Sequence, residues 1–129
     1  MQTTLKCLSL ALALATVLVP LARADDYPSR PIRLIVPYAP GGGADAIGRI
    51  VAKRVSETIG QPIVIENRGG AGSILGTEAV KNADPDGYTL LVGQSGPIAI
   101  NPAIYKNLRY DPVKDFAPVT MTTPIRIFW

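Results

Sequence analysis

The sequence contains no histidine. Without it there is no Ser-His-Asp or Cys-His nucleophile, no HExxH site and no histidine-ligated zinc. Cysteine is nearly as scarce. The single one, Cys7, lies in the first apolar stretch, so the chain beyond that stretch has no disulfide framework. A basic run or stripe of the kind a nucleic-acid surface needs is missing too, which excludes nucleic acid as a partner. Long apolar runs are absent but for Leu8 to Leu21, which falls short of a membrane span and is interrupted near its end by Pro20.

That run has Lys6 before it and Ala22-Arg23-Ala24 after it, the layout of a secretory leader with a small-x-small cleavage site. We therefore expect residues 1–24 to be a signal peptide, cut after Ala24, and the mature chain to start at Asp25 in the periplasm. Cys7 is too far from the cut to be a lipid attachment point. Of the 13 basic residues, Lys6 and Arg23 leave with the leader, so 11 face 10 acidic ones and the net charge falls from +3 to +1. The alkaline isoelectric point of the precursor thus says little about partners.

The rest of the chain is organised around Ile32 to Asp45, IRLIVPYAPGGGAD. Ile32, Leu34, Ile35 and Val36 predict a strand to about Tyr38, and Asp45 opens a helical pattern as N-cap or first-turn acid. Ile47, Ile50, Val51, Val55 and Ile59 fall on one helical face and predict a helix to Ile59, with Gly60 as its C-terminal stop and Pro62 barring continuation. Pro62 to Glu66 predicts a second strand, buried on both faces as in a parallel sheet. Asn67 to Ser73 is a second glycine-rich turn. A helix over Ser73–Asn82 follows, with Ile74, Leu75, Ala79 and Val80 inward. Asp84-Pro85-Asp86-Gly87 is a turn, and Tyr88–Gly93 a third strand. Gln94–Pro97 is a third polar turn, Asn101–Lys106 a short helix, and Val119–Trp129 is weakly patterned. The β-α-β-α-β order predicts a parallel α/β sheet with right-handed crossovers.

All three turns leave the carboxyl ends of strands, the edge where open α/β sheets bind ligands. A lone glycine triplet usually marks only a tight turn, but three polar turns on one edge predict a pocket. Glycines ahead of a helix N-terminus expose backbone N–H groups, which suit a phosphate or a carboxylate. Gly43→Val should weaken such binding by intruding on the anion and resisting positive φ. Gly41 to Ala46 also fits the loose dinucleotide fingerprint G-x-G-x-x-A, with Glu66 placed 20 residues on as the ribose acid. Pro37 and Pro40 stand between strand and glycines, however, and export separates the chain from cytoplasmic cofactors. A Rossmann-like oxidoreductase domain is therefore the alternative reading. The second turn lacks the lysine of a Walker loop. A catalytic pair of Asp45 and Glu66 would repel the anion, so both are expected to be structural. Arg68 could either contact a ligand carboxylate or be a solvated loop residue.

Several longer stretches carry a family resemblance: PYAPGGGAD, VIENRGGAG, PDGYTLL and YDPVKDFAPV, in that order between Tyr27 and Val119. They resemble the receptors of tripartite tricarboxylate transporters, the Bug-type periplasmic solute-binding proteins. The resemblance implies a type II, Venus-flytrap periplasmic-binding-protein fold of two α/β lobes. It implies a monomer that binds a small organic carboxylate and passes it to membrane permease subunits, with no cofactor, metal or catalytic residue. It also implies that the loops matching Tyr38–Asp45 and Arg68–Ser73 pinch one carboxylate and that Gln94 and Ser95 line the cleft. The candidate ligand-binding residues are thus Tyr38, Ala39, Gly41, Gly42, Gly43, Asp45, Arg68, Gly70, Gly72, Ser73, Gln94 and Ser95. Family members continue into a second lobe. On that basis residues 25–118 are expected to be an incomplete first lobe, residues 119–129 the start of a crossover or an aberrant tail, and the chain a truncated product that binds weakly.

Overall fold

In the computed structural model the described residues are 27–122. The expected leader, its cleavage point and the tail from residue 123 lie outside them.

Strand β1 (Ile32–Val36) is the centre of the molecule. It pairs in parallel with β2 (Ile63–Asn67) on one side and with β3 (Thr89–Leu91) on the other, giving the order β2-β1-β3. Ile32, Leu34, Ile35 and Val36 are all buried, as a strand covered on both faces requires. The expectation that β2 is buried on both faces does not hold. It is an edge strand among the described residues, half-buried, and its Val64 is 49% exposed. Composition cannot tell a central strand from an edge strand when both are runs of isoleucine and valine.

Helix α1 (Gly43–Ile59) crosses from β1 to β2, and α2 (Ile74–Lys81) crosses from β2 over β1 to β3. Alternate side chains of a strand point to opposite faces. Gly48 of α1 packs beside Leu34, Val36 and Val92, whereas Gly76 of α2 packs on Pro37, so the two helices cover opposite faces of β1. Helix α1 ends where the sequence predicts: Gly60 takes φ +71° and its N–H bonds to the Ser56 carbonyl. Its packed face is not the predicted one. Ala44, Gly48 and Ala52 are buried, while Ile50 and Val55 are exposed. In α2, likewise, Gly76 and Thr77 are buried and Leu75 is exposed. The helices lie so close to the sheet that small residues occupy the contact and larger ones flank it.

After β3 the chain makes a wide turn over Gly96–Ile100 and then a short helix, α3 (Asn101–Ile104), two residues shorter than expected. At the opposite edge the lead-in to β1 is latched to the turn before β3. The Tyr27 hydroxyl donates to the Gly87 carbonyl (2.8 Å), the Ser29 N–H donates to the Tyr88 hydroxyl (2.9 Å), and Arg30 pairs with Asp86 (2.6 Å) while lying over the Tyr88 ring.

Candidate functional site

The strand order reverses between β1 and β3, and the crevice outside the carboxyl ends of strands at such a switch point is where open α/β sheets take ligands. The structure brings all three predicted turns to this place. Tyr38, leaving β1, reaches the third turn: a methyl added to Gly96 would lie 3.3 Å from its hydroxyl. One added to Gly69 would lie 3.3 Å from the Ala39 nitrogen, so the first two turns touch through backbone. Gly72 sits beside Asn101 and the Tyr105 hydroxyl, which joins the second turn to the segment after the third.

The first turn builds its donors as the glycines suggest. Gly41 adopts φ +82°, Gly42 is the N-cap with no side-chain bond, and α1 begins at Gly43, not at Asp45. The first backbone bond of the helix runs from the Ala46 N–H to the Gly42 carbonyl (2.9 Å). The N–H groups of Gly43, Ala44 and Asp45 precede it and have no acceptor among the described residues. One expectation is corrected here. Positive φ is required at Gly41 and not at Gly43, so Gly43→Val would act through bulk alone, in the open space that faces this residue.

Asp45 does not face that space with a free carboxylate. Its Oδ2 accepts from Arg49 Nε (2.9 Å) and from the Gly41 N–H (2.9 Å), and its Oδ1 accepts from Asn67 Nδ2 (3.0 Å). The Arg49 bond first, then the Gly41 and Asn67 bonds, hold this buried carboxyl well below the usual carboxylate range. Asp45 is thus the post on which the glycine turn is hung. Asn67, which reasoning from sequence placed in a turn without a role, also donates to the Tyr38 carbonyl (3.3 Å) and so ties β2 to the first turn.

Arg68 is paired with Glu66 (2.9 Å), and Arg33 holds the same carboxylate (2.8 Å). The Arg33 bond is the main cause of the lowered Glu66 pKa. Glu66 is therefore occupied by two guanidinium groups, and β1 ends at Val36, well before Gly41. Both facts disfavour the dinucleotide fingerprint, which needs a free ribose acid and a glycine directly after the strand.

The second turn is left-handed. Ala71, Gly72 and Ser73 take φ of +47°, +63° and +73°, and Gly70 before them +120°. Non-glycine residues rarely adopt this region, and such strain concentrates at ligand sites. Ser73 is buried, and as the residue before α2 it makes no side-chain capping bond to that helix. In the third turn Gln94 is half-buried and Ser95 is exposed. Asn101 and Tyr110, both buried, were not singled out from sequence: Asn101 Nδ2 donates to the Gly72 carbonyl (2.9 Å), and the Tyr110 hydroxyl donates to the Pro97 carbonyl (2.7 Å). A shallow depression lined by Pro102, Tyr105, Tyr110 and Val113 draws only on residues 102–115 and involves none of the glycine turns.

Fold and edge together define an α/β lobe of the periplasmic-binding-protein kind, and comparison with known proteins agrees. The chain superposes on the periplasmic binding protein BugD with a TM-score of 0.65 at 40% identity, over 71% of this chain and 30% of that one. It superposes on MatC from Rhodopseudomonas palustris with bound malate (TM-score 0.70, 43% identity, 72% and 32% of the two chains). A further R. palustris structure, with adipate, gives a TM-score of 0.65 at 38% identity over 67% and 29%. Among curated relatives, BugT of Bordetella pertussis is 38% identical over 122 residues, 94% of this chain and 37% of that protein. Residues 47–126 match the model of the tripartite tricarboxylate transporter family receptor, and the chain belongs to that family. It spans about a third of the length of the curated relatives it matches.

Proposed function

We propose that this chain is the first lobe of a periplasmic solute-binding receptor, gripping one carboxylate of a small organic acid without transforming it. The observation that carries this reading is the meeting of the first and second turns beside the β1/β3 switch point. One presents the unpaired N–H groups at the start of α1, and the other presents a left-handed turn whose Ala71 and Gly72 N–H groups donate to nothing among the described residues. Carboxylates suit such donors. The binding groups are the free N–H groups of Gly43, Ala44, Ala71 and Gly72, with the rest of Gly41–Ala44 and Gly70–Ser73 shaping the crevice and Tyr38, Gln94 and Ser95 at its rim. Asp45 and Arg68 act from behind as supports. Malate and adipate, carried by the two related structures, are both dicarboxylic acids, which supports that ligand class here. Delivery to permease subunits, a periplasmic location and, for a receptor with both lobes, action as a monomer belong to the same proposal, by family.

Calorimetry of the purified chain against malate, adipate, citrate, NAD and NADP tests it. Binding of at least one carboxylate in the millimolar range, worth about 4 kcal/mol, is expected, with none for the nucleotides. Tight nucleotide binding without carboxylate binding would overturn the proposal in favour of a dinucleotide domain.

A further inference from the structure

The second turn has its carbonyls and its amides on opposite terms with the protein. The Gly70 carbonyl accepts the Ser73 N–H (3.0 Å), and the Ala71 carbonyl accepts the Ile74 N–H. The Gly72 carbonyl accepts Asn101 Nδ2 (2.9 Å), and the Ser73 carbonyl accepts Thr77 Oγ1 (2.8 Å). All four acceptors are thus engaged from within. The N–H groups of Ala71 and Gly72, by contrast, donate to nothing among the described residues. A free carbonyl beside them would repel an anion, and an engaged one does so less.

Two of these four bonds follow from the turn itself. The other two come from side chains that could have been otherwise: Asn101 and Thr77, both buried. Asn101 is itself held, because its amide also reaches the Tyr110 hydroxyl (3.4 Å), which is anchored on the Pro97 carbonyl. Left-handed φ at Ala71 and Ser73 persists only when the surroundings over-determine it, and these contacts do so. We infer that Asn101 and Thr77 are positioning residues: they hold the Ala71–Ser73 turn left-handed with its carbonyls engaged, and so give it its preference for an anion. Only the choice of carboxylate as that anion rests on the function proposed above.

Amide hydrogen exchange on the full chain without ligand tests the positioning. The Ser73 amide, bonded within the turn, is compared with the Arg68 amide, bonded to the Val36 carbonyl. In Asn101→Asp and in Thr77→Val, both close in shape to the originals, Ser73 should exchange about tenfold faster with Arg68 unchanged. Thr77→Ser, which keeps the hydroxyl, should restore protection. Unchanged Ser73 exchange in both variants, or an equal rise at Arg68 in both, overturns the inference. Calorimetry with malate is the second arm. Both variants should bind about tenfold more weakly than Thr77→Ser and the parent chain, and equal binding overturns the anion preference. A parent chain that binds no carboxylate refutes the proposed function instead, and the exchange result still decides the positioning.

Discussion

Asp45 shows how a residue can brace a candidate site from behind, its carboxylate taken up by Gly41, Arg49 and Asn67. Its charge is visible in the sequence as a first-turn acid, but Asn67 is not visible as its partner, because sheet register alone brings the two together. A carboxyl whose folded pKa is depressed stabilises the fold fully above its unfolded value, about 3.9, and that contribution is lost as pH falls towards the folded value. Asp45→Asn should therefore lower the melting temperature at pH 7, and the gap to the parent chain should narrow below about pH 4, as thermal unfolding followed by circular dichroism across pH would show. The glycines separate in the same way. At φ +82°, Gly41→Ala should cost about 1 kcal/mol of stability. Gly43→Ala, with helical backbone and open space, should leave the melting temperature within experimental scatter and weaken malate binding alone. A stability loss at Gly43 as large as that at Gly41 would show that the assignment of backbone roles is wrong.

At the scale of elements, the strand–turn–helix order, the Gly60 stop and the parallel sheet were all legible, since periodicity and turn chemistry are local. Which face of each helix packs was not. Large aliphatic residues at helical spacing are the usual sign of a buried face, yet α1 buries Ala44, Gly48 and Ala52 instead. The reason is distance: a methyl on Gly48 would meet Val36 at 3.3 Å, and one on Gly76 would meet the Arg68 carbonyl at 2.6 Å and Pro37 at 2.8 Å. Gly76→Ala should accordingly destabilise by about 1–3 kcal/mol despite its better helix propensity. Ile50→Gln, on a residue 70% exposed, should change stability by less than about 0.5 kcal/mol. Urea titrations of the two variants make the comparison direct. The candidate site was legible as three turns that the structure brings to one edge, but the contacts of Asn101 and Tyr110 that hold them were hidden because their partners are remote in sequence.

The described residues form a three-stranded sheet with one helix packed on each face of its central strand. Both outer strands have an unpaired edge among the described residues, and Ile50, Leu75, Ile104, Val113, Val119 and Met121 stand more than half exposed. Such edges and apolar side chains favour association. A small core is also marginal. Thermal unfolding of the chain should be broad, and sedimentation should show concentration-dependent association. A sharp transition of a strictly monomeric species would argue that this lobe is self-sufficient.

If the chain is exported and cut after Ala24, as its leader-like start suggests, the latch at the far edge bears on the order of events. Only Asp25 and Asp26 separate the expected cut after Ala24 from Tyr27, whose hydroxyl is bonded to the Gly87 carbonyl. Two residues reach at most about 7 Å, so a moored Tyr27 limits how far that bond can be drawn into a peptidase. Leader removal should therefore outrun folding, and a precursor allowed to fold first should be processed more slowly. Tyr27→Ala combined with Arg30→Ala, which cuts two moorings, should bring the folded precursor's processing rate back towards that of the unfolded one. Equal rates for folded and unfolded precursor of the parent sequence would show that the latch does not time maturation.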